Sequence, residues 1–334
     1  MAQESEPEMA KSQESDRSQP IVGEGDHQYA CRHGWETLPK DYRWGVTHGI
    51  AKDREGLIYI AHTVHPQSKC RDAIVVFEAD GTFVKSLGNE YEGSAHGLEI
   101  VEENGTDFIY LTDLERGLFK LTLNGETVWH FEKPSLYRKI FGLNWKPSNI
   151  ALAPGTDLYL SDGYGTGFII RIDRETGREL DHFGGPGKRN ENLTHPHGLI
   201  VDTRQTHPLL LIADNLDNRF HYLTLDGEHV RFERENDETL VAPRHFCIQE
   251  KLLLMPDLGG RLSLFDEANE LITVLGDAKK PFEKLVPLHE LPTEEHTPGQ
   301  FALPHDAIFD DEGNIYVVEW IATGRVSKLT PLKD

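Results

Sequence analysis

The sequence predicts an all-β protein that folds as one six-bladed β-propeller from residue 44 to residue 334. Short apolar runs rich in β-branched and aromatic residues recur along the chain, and a short motif that usually contains histidine precedes each run. The apolar spacing that marks amphipathic helices is missing nearly everywhere. A repeat of about 50 residues with roughly four short strands is typical of a propeller blade, so six copies predict six blades.

Each apolar run predicts one buried strand of a blade. The runs are GLIYIAHT (56–63), FIYLTD (108–113), DLYLSDG (157–163), LLLIADN (209–215), KLLLMPD (251–257) and NIYVVEW (314–320). Most are followed by a segment of alternating apolar and polar residues with a DG, NG or TG dipeptide, which predicts a half-buried strand and a hairpin turn. Short acidic side chains end five of the runs and are expected to accept backbone N–H groups where the strand turns. These residues are Asp113, Asp162, Asp214, Asp257 and Glu319.

The motifs that precede the runs repeat at spacings of 48, 53, 48, 48 and 60 residues. They read WGVTHGI, SAHGLEI, PSNIAL, HPHGLIV, PRHFCI and LPHDAIF, and their landmark residues are His48, His96, Asn149, His197, His245 and His305. The innermost strands of a propeller line its central channel. One register repeated in every blade therefore predicts that these side chains form a ring around the channel.

Three of the landmark histidines, His96, His197 and His305, lie in alternate blades and are related by a pseudo-threefold axis. Three converging imidazoles can bind a divalent transition metal and leave one coordination position open for water or substrate. We therefore predict a metal site there, with His48 and His245 as further ligands or as walls of the same pocket. Imidazole suits zinc, iron and copper alike, and a single histidine at a strand start is more often structural.

The HGL, PHGL and PHD signatures resemble those of NHL-type propellers and, more narrowly, of the peptidyl-α-hydroxyglycine α-amidating lyases. The resemblance covers roughly residues 44–330, and its most specific segments are SAHGLEI, HPHGLIV, LPHDAIF and LYLSDGYG. It implies zinc bound by the three histidines His96, His197 and His305, with Tyr164 beside the substrate. It also implies a structural calcium, held by the Asp306 carboxylate, the Leu98 carbonyl and a blade-one carbonyl near Ile50.

The chain departs from the lyase pattern at substrate-binding positions. Asn215 and Leu303 stand where the family has an arginine and a methionine, and the family's other arginine corresponds to Lys69 or Arg71. We take Tyr164, Arg71 and Asn215 as the candidate catalytic residues. A tyrosinate near a dication is a suitable base, because the positive charge lowers the pKa of the phenol.

Three functions compete at this stage. The leading one is a metal-dependent lyase that cleaves a C–N bond at a hydroxylated carbon, with a small-molecule or peptide-like substrate in the central channel. The second is another metalloenzyme on the same histidines, a lactone or ester hydrolase or an iron or copper oxidoreductase. The third is a non-catalytic NHL-type propeller that binds a protein partner.

Composition narrows the range of partners. The chain has 34 Lys and Arg against 56 Asp and Glu, a net charge of −22, which argues against nucleic acid and anionic membranes as partners. No stretch of about 18 apolar residues predicts a membrane span. The three scattered cysteines are expected to be free thiols in a reducing compartment rather than one Cys31–Cys70 bridge.

The remaining expectations concern the termini, the assembly and the location of the chain. Residues 1–20 predict a disordered acidic tail, because so few apolar residues cannot offset the entropy of ordering. Residues 21–43 are assigned to a lead-in segment. We expect a cytoplasmic monomer, or a secreted one if a signal peptide had been removed.

Overall fold

The computed structural model describes residues 19–140, 142–234, 240–278, 284 and 286–332, and there it confirms the predicted all-β, six-bladed propeller. Each blade is an antiparallel sheet of neighbouring strands. The strands are β1 (Ile21–Val22), β2 (Tyr29–His33), β3 (Thr47–Lys52), β4 (Ile58–His62), β5 (Ile74–Phe77), β6 (Phe83–Leu87), β7 (Ala95–Glu103), β8 (Thr106–Asp113), β9 (Gly117–Thr122), β10 (Thr127–Phe131), β11 (Asn149–Leu152), β12 (Asp157–Ser161), β13 (Phe168–Asp173), β14 (Glu179–Gly184), β15 (Pro196–Asp202), β16 (Leu209–Asp214), β17 (Arg219–Leu223), β18 (His229–Glu233), β19 (Cys247–Gln249), β20 (Leu252–Asp257), β21 (Arg261–Phe265), β22 (Leu271–Leu275), β23 (Pro304–Phe309), β24 (Ile315–Glu319) and β25 (Arg325–Pro331). The same residues hold one short helix, α1 (Ser135–Lys139), and 3-10 turns at Asn89–Tyr91, Asn215–Asp217, Val286–Glu290 and Thr293–Glu295.

Blades one to five are each built from four consecutive strands, beginning with β3, β7, β11, β15 and β19. Blade six takes β23, β24 and β25 from the C-terminal part of the chain and adds β2 and β1 from the N-terminal part. Cys31 of β2 pairs with Leu329 of β25, so the two ends of the chain close the propeller in one sheet. This closure protects the edge of β25, because an unpaired edge strand exposes free N–H and C=O groups.

The propeller therefore includes residues 21–33, which the sequence analysis assigned to the lead-in segment. The C-terminal blade supplies three strands of its own, and the fourth position is filled by β2. Most of the predicted acidic tail, residues 1–18, lies outside the described residues.

The core lies between neighbouring blades. The second strand of each blade is buried on both faces, as at Tyr59 of β4 and Tyr316 of β24, both fully buried. Burial on both faces explains why these strands read as continuous apolar runs rather than as alternating ones. Each large apolar side chain buried in this way stabilises the fold by about 1.5–3 kcal/mol.

The expectations for the cysteines and for membrane spans can be compared with the structure. Cys31, Cys70 and Cys247 are all free, as expected from their scatter in the sequence. No helix within the described residues is long and apolar enough to span a membrane.

Candidate functional site

An irregularity at the start of the innermost strands positions the site. In blade six, Pro304 pairs with Glu319 and Asp306 with Val318, so His305 has no cross-strand partner. The same bulge leaves one residue unpaired in blade one, at His48, and in blade four, at His197. A β-bulge of this kind turns a side chain out of the regular pleat, and here the bulged residues come together at the channel.

The bulge defines the register in the other blades as well. In blade two, His96 and Gly97 together oppose Thr112. In blades three and five, the equivalent residue is the one whose N–H donates to the carbonyl just before the strand-end aspartate. It is Ser148 in blade three, which donates to Ser161, and Arg244 in blade five, which donates to Pro256. We call the resulting set the axial ring. Its members are His48, His96, Ser148, His197, Arg244 and His305.

The ring differs from the predicted one in blades three and five. Asn149 and His245 lie one residue beyond the bulge, at the position that Asp306 occupies in blade six. The 48-residue spacing aligned two histidines, but the strand pairing places Arg244 at the ring and His245 after it.

Backbone carbonyls of the ring orient three of its histidines. The Nδ1 atoms of His96, His197 and His305 donate to the carbonyls of the ring residue in the next blade, at 2.7, 2.9 and 2.8 Å. Because a carbonyl only accepts, Nδ1 carries the proton and Nε2 is left with a free lone pair. A backbone hydrogen bond on the far nitrogen is the usual arrangement of a histidine that binds a metal.

The rings of these three histidines lie close together around the channel. The ring centroids of His96, His197 and His305 lie 4.8–5.3 Å apart. Nε2 of His305 is buried and has no hydrogen-bond partner among the described residues. The structure thus brings together the three histidines that the sequence predicts as metal ligands.

The imidazoles are held in the form that binds metals. Burial lowers the pKa of His96 to about 3, and it lowers the pKa of His197 and of His305 well below the ordinary value. All three are therefore neutral at pH 7. Neutral imidazole nitrogens with one unpartnered member fit a zinc-type ion.

His48 forms an overlapping cluster with His96 and His305, in which one nitrogen of each lies within 4.8 Å of the others. His197 is not part of this cluster. Nδ1 of His48 is buried and has no partner among the described residues, so it lacks the backbone carbonyl that orients the other three rings. Hydrogen bonds through Nδ1 already orient His96, His197 and His305, and these three remain the predicted metal ligands, with His48 beside them.

Tyr164 reaches the same space from the loop between β12 and β13. Its hydroxyl lies 2.7 Å from Nε2 of His197 and 3.3 Å from Nε2 of His96. The loop is anchored by Asp162, whose Oδ1 accepts the N–H of Lys146 at 2.7 Å. Burial raises the pKa of Tyr164, whereas the charge of Arg244 and a hydrogen bond from it lower that pKa.

The predicted calcium ligands present a different donor set. Both oxygens of Asp306 accept backbone N–H groups, from Ile50 at 3.2 Å and from Ala307 at 2.8 Å. Burial by itself lowers the pKa of His245, but the negative charge of Asp306 and a hydrogen bond with Glu99 outweigh burial and raise that pKa. Calcium prefers six to eight oxygen ligands, whereas both oxygens of Asp306 already accept backbone N–H groups. Calcium binding, including the role of the carbonyl of the buried Leu98, remains a prediction.

The other two predicted catalytic residues, Arg71 and Asn215, have hydrogen-bond partners outside the cluster of His96, His197 and His305. Arg71 pairs with Glu92 and donates to carbonyls of its own loop, including that of His65. Asn215 is buried, and its Nδ2 donates to the Pro243 carbonyl at 2.9 Å. It therefore touches the backbone next to Arg244.

Sequence reasoning missed three residues at this site, Ser148, Arg244 and His195. The ring of His195 stacks on that of His197 and meets Tyr164 edge-on, with centroids 6.2 and 5.2 Å apart. The signal for Arg244 is present in PRHFCI, where an arginine precedes the landmark histidine. Only strand pairing shows which of the two residues occupies the bulge.

An open cleft of about 710 Å³ lies on the face that carries the Tyr164 loop. It is lined by the loop segments 165–166 and 186–194, and by Arg219 and Phe232 of blade four. The loop between β14 and β15 thus contributes much of its wall.

No protein-family model and no curated protein matches the sequence. Solved structures do match. Virginiamycin B lyase from Staphylococcus aureus aligns over 91% of this chain and 100% of its own, with TM-score 0.57 and 14% identity. A gluconolactonase from Xanthomonas campestris aligns over 92% of this chain and 90% of its own, with TM-score 0.56 and 14% identity. A protein of unknown function from Bacteroides thetaiotaomicron aligns over 93% and 76%, with TM-score 0.60 and 13% identity.

At such low identity the likeness shows the fold alone. The chain is a six-bladed β-propeller, and its structural neighbours include a lyase and a gluconolactonase.

Proposed function

We propose that this protein is a metal-dependent lyase that cleaves a C–N bond at a hydroxylated carbon of a small-molecule or peptide-like substrate. The observation that carries the proposal is the grouping of three neutral imidazoles, those of His96, His197 and His305, with ring centroids 4.8–5.3 Å apart and each Nδ1 bound to a backbone carbonyl. The resemblance of the sequence motifs to amidating lyases supports the same chemistry. So does a catalytically inactive histidine-to-alanine variant of the staphylococcal virginiamycin B lyase, solved with quinupristin, which aligns with TM-score 0.53.

A zinc-type ion on these three nitrogens would polarise the substrate hydroxyl as a Lewis acid and keep one coordination position open. The residues of the chain do the rest. Tyr164 places its hydroxyl within hydrogen-bond distance of Nε2 of His197 and of His96, next to the nitrogens that would hold the metal. Its phenolate accepts the hydroxyl proton as the C–N bond breaks, and the departing nitrogen gains a proton. The substrate thus divides into an amide and an aldehyde with no other reactant.

Arg244 helps Tyr164 to act as the base. Burial raises the pKa of Tyr164 above its ordinary value, and the positive charge of the Arg244 guanidinium offsets part of that rise by stabilising the phenolate. A base is most effective when its pKa lies near the working pH, and a metal ion held by the three histidines would lower the pKa of the phenol further.

Hydrolysis of a lactone or ester is the second candidate, and His48 favours it. Its Nδ1 is buried beside the predicted metal ligands and has no hydrogen-bond partner among the described residues. Burial lowers the pKa of His48 well below the ordinary value, so its imidazole is neutral and can accept a hydrogen bond from an attacking water. The fold likeness to a gluconolactonase is consistent with this alternative.

Metal analysis tests the site itself. We expect close to one transition metal ion per purified chain, measured by inductively coupled plasma mass spectrometry. His197→Ala should weaken metal affinity at least tenfold, because even outer hydrogen-bond partners of a metal site contribute about 10–100-fold. His48→Ala is the matched control and should change affinity less than about threefold. The opposite order would assign the metal to His48, His96 and His305.

Substrate assays separate the two reactions. An N-acyl-α-hydroxyglycine that releases an aldehyde supports the lyase. A simple lactone that opens, while the hydroxyglycine compound stays intact, supports the hydrolase. A chain that contains no transition metal as purified, and takes up none on dialysis, would refute both.

A further inference from the structure

Arg244 holds the axial-ring position of blade five, where four other blades place a histidine and blade three places Ser148. Its carbonyl accepts the Nδ1 proton of His197 at 2.9 Å, as the carbonyls of Ser148 and His48 do for the other two ligands. Arg244 is 7% exposed, and its guanidinium lies close enough to Tyr164 to interact electrostatically with the phenol. A full positive charge is thus fixed at the wall of the metal pocket.

This charge has no carboxylate partner among the described residues. Other largely buried arginines of the propeller do have one, at the pairs Arg204–Asp202, Arg219–Asp214, Arg261–Asp257 and Arg325–Glu319. Nε of Arg244 is buried with no hydrogen-bond partner in the same part of the chain. A buried, unpaired ion is costly, and such groups are kept where a ligand completes them.

We infer that Arg244 determines substrate specificity by binding an oxyanion, a carboxylate carried next to the reacting carbon. The guanidinium fork fits a carboxylate with two parallel hydrogen bonds, and an amide or an ammonium group cannot replace that pairing. The inference rests on the proposed function, because it takes the metal pocket as the place of reaction.

Asn215 supports this arrangement. The amidating lyases have an arginine at its position, and here an amide occupies it. Asn215 donates from Nδ2 to the carbonyl of Pro243, the residue before Arg244. The cation of the site is therefore supplied by blade five in this chain, and the blade-four residue holds the segment that carries it.

The surroundings of the ring explain the choice of an anion. The groups beside Arg244 are neutral imidazoles and the Tyr164 hydroxyl, while Glu99 lies with His245 at the next level of the channel. A bound metal ion adds further positive charge. In a chain with net charge −22, this pocket is an isolated positive centre that selects negative ligands.

Calorimetric titration with glycolate and with its neutral isostere glycolamide tests the inference on the whole chain. The wild type should bind glycolate about 10–100-fold more tightly, the range for a charge-assisted pair. Arg244→Gln should reduce this preference to within about twofold, and Arg244→Lys should keep part of it. Arg178→Gln, at an exposed arginine, removes the same charge from the surface and should leave the preference intact.

Thermal unfolding of the same variants distinguishes a binding arginine from a structural one. Because Arg244→Gln removes a buried unpaired charge, its melting temperature should be equal to or above that of the wild type. An Arg244→Gln chain that fails to fold, or one that keeps the preference for glycolate, would overturn the inference. So would a wild type with no preference.

The titration is repeated after chelation to keep the two proposals apart. A preference for glycolate in a chain that binds no metal would support Arg244 and refute the lyase. Stoichiometric metal without the preference would do the reverse.

Discussion

In each blade, the residue that ends the second strand lies almost beside the axial ring: Glu319 pairs with Pro304, the neighbour of His305. The two positions are equally buried but are partnered differently. Glu319 accepts the N–H of Ala302 and pairs with Arg325, and no side-chain atom of the strand-end acids lacks a partner among the described residues. In the ring, His48, His305 and Arg244 each leave one buried nitrogen unpartnered.

The comparison separates stability from function within a few ångströms. Partnered strand-end acids repeat around the propeller because every blade needs the same turn, and blade one uses His62 for the purpose. Nδ1 of His62 accepts the N–H groups of Gly45 and Val64 at 3.1 and 3.2 Å. The ring keeps unpartnered groups that cost stability, which indicates that ligands complete them.

The largest effect is expected from Tyr164→Phe. Loss of a base or proton shuttle typically costs about 10²–10⁴-fold in rate, and the variant keeps the ring that packs against His195 and His197. We expect the fold and the metal content to be unchanged while turnover of the hydroxylated substrate falls by that factor. Steady-state kinetics with parallel metal analysis measures this.

Unchanged turnover in Tyr164→Phe, with the metal retained, would exclude the phenol as the base. Water activated at the metal pocket, with His48 as its base, would then be the better account of any activity.

The strand-end layer should respond in stability rather than in rate. Glu319→Ala leaves the guanidinium of Arg325 buried at 1% exposure and unpaired, and removing one partner of such a pair costs about 3–5 kcal/mol. Denaturant unfolding measures the loss. Asp311→Ala breaks the exposed pair with Lys52 and should cost less than about 1 kcal/mol. Equal losses in the two variants would contradict the distinction.

His62 gives the strand-end layer of blade one a dependence on pH. Burial lowers the pKa of His62 to about 3, below the ordinary value of 6.5, so its stabilisation is present above pH 6.5 and is lost as the pH falls toward 3. At pH 5 the loss is about 2 kcal/mol by linkage. In metal-free protein, the advantage of the wild type over His62→Gln should shrink by that amount between pH 7.5 and pH 5. An advantage independent of pH would show that His62 is not buried neutral.

Most of the fold could be predicted, because each repeat of short strands corresponds to one blade and the sequence contains six repeats. The exception is β2, whose pairing with β25 joins Cys31 to Leu329 and has no local signal in the sequence. The grouping of His96, His197 and His305 could also be predicted, since these residues share both motif and bulge.

The rest of the site depends on a one-residue register. Asn149 and His245 matched the spacing of the landmarks, yet the bulge selects Ser148 and Arg244. Spacing along the chain cannot detect a bulge, because the extra residue is visible only in the pairing of two strands. Arg71 was predicted as a catalytic residue, but its pairing with Glu92 could not be predicted, because Glu92 lies 21 residues away on another loop.

The smallest effect is expected from Asn215→Ala, which removes the hydrogen bond to the Pro243 carbonyl. One lost hydrogen bond with a buried acceptor costs about 1–3 kcal/mol, which denaturant unfolding resolves. If Asn215 also positions Arg244, the preference for glycolate over glycolamide should fall severalfold, whereas a purely structural residue would leave that ratio unchanged. Asn314→Ala is a suitable control, because Nδ2 of the buried Asn314 donates to Oδ2 of Asp310 at 2.7 Å, at the end of β24 that is far from the axial ring. It should lower stability by a similar amount and leave the ratio intact, so that a parallel fall in both variants would remove Asn215 from the positioning of the guanidinium.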